Sequence, residues 1–272
     1  MDNRQQIDNE LDNQSLEQDR QFVTALARGL ELLRCFRPGE QLLGNQELAK
    51  RSGLPKATVS RLTYTLSRLG YLQHVASLGK YALDTGVLAL GYAHLNGLDI
   101  RRQARPLMQE LAEQSQSSVS LGARDRLSMV YTENCQGQGP LTLRLDIGSR
   151  IPMASTAMGR AYLAALPDAE RDLLLDQLRQ RAGEQWSETR DQLEKAFRHY
   201  QDFGFCLACG DWQKDINAAG VPLIKPDGSG VVAFSVGGPA FVLRQHMLED
   251  DLGPRLVHLV RNVEATIGRQ FQ

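Results

Sequence analysis

The sequence predicts an α+β protein: an N-terminal winged helix-turn-helix, a linker helix, and a C-terminal antiparallel sheet flanked by helices. Residues 52–72, SGLPKATVSRLTYTLSRLGYL, read as a glycine turn, a helix with proline in its first turn, and a glycine stop. Two strand-like runs, YLQHVA and KYALD, follow around the turn Ser77-Leu78-Gly79. After residue 115 the pattern changes to strands, with helical stretches before, among and after them. A chain of 272 residues, 42% hydrophobic, is long enough for one large domain or two modest ones.

In chain order, residues 1–21 are polar, lack hydrophobic periodicity and read as a disordered tail. Phe22 to Phe36 carries Val23, Leu26, Leu30 and Leu33 at helical spacing before RPGE breaks it. Asn45 fits as the N-cap of a short helix, Gln46 to Ser52, ended by Gly53. Pro55 opens the next helix, which runs to Leu69 and stops at Gly70. TGVLALGYAHLNG, 85–97, reads as a connecting helix, and Asp99 to Gln114 as another, with Pro106 either kinking it or marking its start. SVSLGA, LSMVYTEN, LTLRLD, GFCLAC, NAAGVPLIK and GVVAFSVGG are strand-like. Thr156 to Leu166, Asp168 to Arg181, Arg190 to Phe203 and Leu248 to Arg269 are helical, and no internal repeat is visible. The expected division is a winged helix-turn-helix over 22–84, a linker over 85–100 and a second domain over 101–272.

Charge separates along the chain although the formal net is -1. Residues 1–19 hold six acids and one base; residues 21–84 hold nine bases and four acids. The basic stretch suits a polyanion. With Val59 set at zero on a helical wheel, Leu62, Leu66 and Leu69 fall within about 80° of it and form the inward stripe. The other side presents Ala57, Ser60, Arg61, Tyr64 and Arg68, with Lys56 and Ser67 flanking. Small, hydroxyl and guanidinium groups on a narrow helix suit the major groove of double-stranded DNA. Ser60, Arg61 and Tyr64 are the expected base readers; Arg28 and Lys80 are expected on phosphates, and Gln46, Lys56, Thr58 and Arg68 complete the interface. The plainer alternative is an amphipathic surface helix of structural use.

Other chemistries find little support. The acidic, polar N-terminus is unlike a signal peptide, and no apolar run approaches the ~18 residues of a membrane helix, so a cytoplasmic protein without a membrane partner is expected. Four cysteines do not make a disulfide framework in a chain this long. Cys206 and Cys209 form a C-x-x-C with no second pair, and three positions apart on a strand they point to opposite faces. None of the five histidines lies near a G-x-S-x-G or H-E-x-x-H motif, and no phosphate loop has Walker spacing. Neither an enzyme nor a cofactor is expected. One anion site does stand out: Ser155-Thr156-Ala157-Met158-Gly159 opens a helix whose free N–H groups suit a carboxylate, although Ser155 or Thr156 could equally be a plain N-cap.

The segments ALARGLELLRCF, NQELAKRSGLPKATVSRLTYTLSRLGYL and KYALDTGVLALG resemble the DNA-binding half of the IclR-type transcriptional regulators. ARPLMQELAEQS, LDIGSRIPMASTAMGRAYLAALP, FGFCLACGDWQKDINAAGVPLI and VVAFSVGGPA follow in that family's order, so the resemblance spans about residues 22–270. It implies a sequence-specific regulator with a GAF-like C-terminal domain that binds a small organic acid. It also implies homodimers, often paired into dimers of dimers, on a roughly palindromic operator, with the effector's influence transmitted through 85–100. The family's pocket falls on Ala157 and Met158 at the helix start, on Ala208 or Cys209 where an acid is common, and on Ala218, Ser235 and Gly237. Ser155, Thr156, Met129, Tyr131 and Trp212 complete the expected set. Polar ligands of the family are missing at these positions, and strand alternation puts Ser235 and Gly237 on one face, which predicts a roomy site with the single hydroxyl of Ser235. A larger, more apolar carboxylate, aromatic acids included, would then lie against Trp212 or Tyr131. The alternative is a regulator with a degenerate sensor that works through protein partners.

Overall fold

The computed structural model describes residues 20–138 and 145–268, so most of the expected tail and of the LTLRLD strand lies outside the described residues. The chain divides into two compact units after Gly97.

The first unit contains α1 (Thr24–Arg34), β1 (Leu43–Gly44), α2 (Asn45–Ser52), α3 (Lys56–Arg68), β2 (Leu72–Val75), β3 (Lys80–Leu83) and α4 (Thr85–Asn96). Its three-stranded wing has the order β1-β3-β2. β1 is a strand that the sequence pattern did not disclose, two residues long and pairing Leu43 with Tyr81. Leu32, Leu43, Leu48, Val59, Leu66 and Leu72 form the core. Gly53 closes α2 in the left-handed region at φ 69°, where a side chain would be strained. Two expectations need correction. The N-cap of α2 is Gly44 rather than Asn45, because the Gly44 N–H donates to the Glu47 carboxylate at 2.8 Å and fixes the helix start one residue earlier. Leu69 is 64% exposed, since α3 ends at Arg68 and the chain turns away; the inward stripe is completed by buried Thr63, whose hydroxyl donates to the Val59 carbonyl at 3.0 Å.

The second unit is a six-stranded antiparallel sheet of order β6-β5-β4-β9-β8-β7. Its strands are β4 (Ser118–Asp125), β5 (Ser128–Gln136), β6 (Arg150–Pro152), β7 (Cys206–Cys209), β8 (Ile216–Ile224) and β9 (Val231–Pro239). Its helices are α5 (Asp99–Ser115), α6 (Ala157–Ala164), α7 (Asp168–Ala182), α8 (Trp186–Phe203) and α9 (Gly253–Gly268). α8 begins before the expected Arg190, and the final helix begins after the expected Leu248 because a π-helical turn, Leu248–Leu252, precedes it. Pro106 lies inside α5, where it removes one helical hydrogen bond without ending the helix.

The strands alternate between two cores. Val119, Leu121, Phe234 and Val236 pack with Met108 of α5 and with Leu256 and Val260 of α9. Met129, Tyr131, Ala233 and Cys206 pack with Met158 and Ala161 of α6 and Leu193 of α8. β5 changes faces part way. The register shifts between Leu121–Glu133 and Gly122–Tyr131, leaving Thr132 as the extra residue of a bulge. Cys135 therefore belongs to the first core, and Tyr131 and Met129 to the second, although all three have the same parity.

Glu133, fully buried on the α5 side, accepts a hydrogen bond from Arg105 at 2.6 Å and lies 2.8 Å from the Arg101 guanidinium as an ion pair. Removing both cations leaves an uncompensated buried carboxylate, a loss of about 3–5 kcal/mol. Arg101→Ala with Arg105→Ala should therefore lower the unfolding midpoint of this unit markedly. Tryptophan fluorescence in a urea titration reads it directly, because both tryptophans, Trp186 and Trp212, lie here.

Candidate functional site

The outward face of α3 carries Ala57, Ser60, Arg61, Tyr64 and Arg68, all exposed, with Lys56 exposed at its start and Thr58 half-buried. Arg28 on α1 and Gln46 on α2 are also exposed. Asn45, freed from capping, ties α2 to α3: its amide donates to Ser60 Oγ at 3.2 Å, and its Oδ1 accepts from Thr63 at 3.4 Å. Ser60 is thus a positioned hydroxyl. Lys80, expected on phosphates, has its Nζ 3.6 Å from the Glu47 carboxylate. The Gly44 N–H bond, with Lys80's charge, holds Glu47 below the usual carboxylate range. Both side chains are about half exposed, so the pair is weak and screened by salt.

In the second unit, a cavity of about 30 Å³ lies between the start of α6 and the sheet. That is room for about two water molecules. Its lining brings together Tyr131, Ser155, Thr156, Ala157, Met158, Ala208, Trp212, Ala218, Ser235 and Gly237 of the candidate effector residues. Met129 and Cys209 stand outside it: Met129 is fully buried in the core, and Cys209 packs toward the first core from the other face of β7. Ser118, Ser120, Ile151 and Ile216 were missed. The expected roomy site with one hydroxyl is corrected on both counts. The space is small, and Ser118, Ser120, Tyr131, Ser155, Thr156 and Ser235 all border it. The missed serines come from β4, whose alternation SVSL is visible in the sequence but whose neighbour β9 is not. Pairing sets Ser118 opposite Gly237 and Ser120 opposite Ser235.

Close packing aims the start of α6 into this space. A Cβ on Gly220 would strike the Ala157 carbonyl, and one on Gly159 the Met153 backbone. Thr156 is the N-cap; its hydroxyl accepts from the Gly159 N–H at 3.2 Å and donates to the Pro152 carbonyl at 2.6 Å. The Ala157 and Met158 N–H groups remain beyond the reach of helical partners. No charged side chain lines the cavity. Burial pushes the Tyr131 phenol up, countered in part by the hydroxyls of Ser120 and Ser235 beside it. One buried charge braces the wall from behind. The Arg160 guanidinium donates to Asp211 at 2.7 Å, Leu207 O at 2.9 Å, Ala154 O at 3.0 Å and Gln192 at 3.1 Å. Asp211 adjoins Trp212, so this cluster fixes the loop that carries the indole.

All four cysteines are free thiols. Cys206 is buried and its Sγ lies 3.4 Å from the Ala196 carbonyl. Among the described residues no three His, Cys, Asp or Glu side chains converge as a metal site. Among them, too, no helix is long and apolar enough to cross a membrane.

Comparison with known proteins gives the family. The family profile for the IclR helix-turn-helix domain matches residues 25–76, and that for the bacterial transcriptional regulator IclR C-terminal domain matches residues 92–265. The chain is 37% identical over 246 residues to the HTH-type transcriptional regulator TsaQ1/TsaQ2 of Comamonas testosteroni, covering 90% of this chain and 88% of that protein. It is 53% identical to an IclR family transcriptional regulator of Brucella abortus of solved structure, with a TM-score of 0.86 and coverage of 92% and 94%. An IclR homolog from Microbacterium hydrocarbonoxydans, solved in complex with 4-hydroxybenzoate, shares the fold at 20% identity, with a TM-score of 0.68 over 90% of this chain and 98% of that one.

The thiols give a direct check on the local environment. Burial pushes Cys206 up to about 12, and Cys35, Cys135 and Cys209 up to about 11. The thiolate is the reactive form, so at pH 8 the folded protein should react with iodoacetamide far more slowly than free cysteine. The rate should climb only as the pH nears 11, and unfolding in urea should restore ordinary reactivity at pH 8.

Proposed function

The chain belongs to the IclR family of bacterial transcriptional regulators, and from that premise we propose that α3 reads operator DNA and that the cavity under α6 receives a small organic carboxylate which modulates DNA binding. The protein is a DNA-binding regulator and not an enzyme. The observation that carries the effector reading is the start of α6, where Ala157 and Met158, whose N–H groups lack helical partners, border a neutral, hydroxyl-lined cavity. Such an end accepts a carboxylate without a lysine. Trp212, Ile151 and Ile216 give the remainder of the ligand an apolar wall. An aromatic acid enters only if side chains yield, and Met158, with its unbranched thioether, is the one best able to do so. The fold relative solved with 4-hydroxybenzoate supports a ligand of this class.

On this reading, residues 22–84 bind DNA, 85–100 link, 101–272 sense, and the protein works in the cytoplasm. Its functional form is a homodimer, and a dimer of dimers is the family's further assembly. α4 supports the dimer: no residue of this apolar helix is buried, and Leu88, Leu90 and Tyr92 lie open to solvent. Val23, Leu26 and Leu30 are exposed as well. Apolar surface of this extent is covered by a partner, here a second copy. Two copies related by a twofold axis require a roughly palindromic operator. The small cavity favours the second reading, a degenerate sensor acting through protein partners, and the ligand test below separates the two.

Arg61→Ala should weaken binding to a site selected from a random DNA library by about 1–3 kcal/mol while leaving scrambled DNA nearly unaffected. Lys80→Ala should weaken both alike and reduce the salt slope by about one. Fluorescence anisotropy at several salt concentrations measures each, and an equal loss on both DNAs for Arg61→Ala removes it from base readout.

The effector reading is tested by thermal shift on the full chain with aromatic carboxylates, two- and three-carbon keto acids and zinc, at fixed protein concentration. A rise with an aromatic acid is expected. Preference for a two- or three-carbon acid overturns the size assignment, silence across the panel favours the degenerate sensor, and a response to zinc alone returns attention to Cys206 and Cys209.

A further inference from the structure

Among the cavity's hydroxyls, the one on Ser118 stands apart. Ser120 Oγ is 2.8 Å from Asn134 Oδ1, Thr156 Oγ1 holds Pro152 O, and Tyr131 lies with Ser120 and Ser235. Ser118 Oγ is shut off from solvent and has no hydrogen-bond partner. The residue is only 6% exposed and lines the cavity. On the β9 side its row runs through Gly237 to Ala218, neither of which has a polar side chain to offer, and on the β5 side it faces Gln136, whose amide makes no hydrogen bond to it. A buried hydroxyl left in this state calls for an explanation, because native proteins pair nearly all of them.

Resting on the carboxylate reading of this cavity, we propose that the effector carries a second hydrogen-bonding group, a hydroxyl or carbonyl remote from its carboxylate, and that Ser118 reads it. The sheet register supplies the span. α6 starts against Gly220, which pairs with Ser235 and, through it, lies on the row of Ser120. Ser118 is two residues along β4 from that row and two strands away from β8. Strand geometry makes the backbone separation about 12 Å. Hydrogen-bond reach of about 3 Å at each end leaves on the order of 6 Å between the ligand's polar groups. A six-membered ring substituted at opposite positions fits that interval. The class is therefore a ring acid oxygenated opposite the carboxylate, and an unsubstituted ring acid leaves Ser118 unpaired.

The test is titration calorimetry on the full-length protein with benzoate, 4-methylbenzoate and 4-hydroxybenzoate, the methyl compound matching the hydroxyl in size. The wild type should bind 4-hydroxybenzoate about tenfold or more tighter than 4-methylbenzoate, because the polar group is wasted on the methyl compound. Ser118→Ala should bring the two within about twofold, leaving 4-methylbenzoate affinity unchanged. Its unliganded unfolding midpoint should hold or rise, since the hydroxyl has no partner to lose; a serine retained for structure would lower it. Binding of 4-methylbenzoate with no preference for the hydroxyl, or a preference that survives Ser118→Ala, overturns the inference and leaves the carboxylate reading intact. Failure of all three acids to bind overturns the inference together with the aromatic assignment on which it rests.

Discussion

The close approach of the α6 start to the sheet is the constraint on which the rest of the C-terminal unit depends. It is possible only because Gly220 and Gly159 present no side chains where the Ala157 carbonyl and the Met153 backbone come in. Gly122 makes the same allowance for the Met158 side chain. Helix N–H groups are thereby brought to the sheet surface, and Thr156 satisfies only one of them. Arg160, one turn further along α6, holds the helix from behind through acceptors on four separate segments. A buried guanidinium with that many partners is expensive to misplace, so the helix has little freedom to slide. The cavity is what remains between a helix that cannot approach further and a sheet whose local side chains are small.

The second determinant is the bulge at Thr132. Simple alternation would send Tyr131 to the same face as Glu133, among the α5 contacts. The extra residue reverses the face, so Glu133 is clamped by arginines on one side while Tyr131 meets Ser120 and Ser235 on the other. Two ionisable or polar groups two residues apart thus serve different layers of the domain. The sequence does not display this. Bulges depend on the neighbouring strand, and Leu121 and Gly122 lie some ten residues away in the chain.

That contrast describes what was legible and what was not. Element type and order were readable because local patterns determine them: the glycine stops at Gly53 and Gly70, the turn at Ser77-Leu78-Gly79, and the alternation in SVSL and AFSV. The exposed face of α3 followed from helical period alone. Features made by partners distant in sequence were not readable. β1 is two residues long and exists only through pairing with β3. Gly44, rather than Asn45, caps α2 because Glu47 reaches back to it, and Asn45 is then drawn to Ser60 and Thr63. The cavity residues on α6, β8 and β9 were named from the family resemblance, while Ser118 and Ser120 became visible only once β4 was known to lie beside β9. The cavity's small volume depends on how Met158 and Trp212 sit, and no sequence pattern encodes rotamers.

A neutral, small cavity sets a condition on any regulation through it. On the proposed reading, a ring acid must find the site opened by movement of Met158 or of the Trp212 loop. Its apparent affinity is then the intrinsic affinity scaled by the population of the open state. A ligand that bound open and closed forms equally would change nothing downstream, however tightly it bound. On the proposed reading the small cavity removes that possibility on steric grounds, because about 30 Å³ cannot hold a ring. Binding is therefore tied to one conformation by volume, and selectivity among ligands that do fit falls to the hydroxyl wall. The apolar surfaces bring little discrimination between rings of similar size, whereas an unpaired buried hydroxyl discriminates strongly. On the proposed reading, conformational coupling comes from tight packing at α6 and chemical selectivity from β4, two separate elements of the fold.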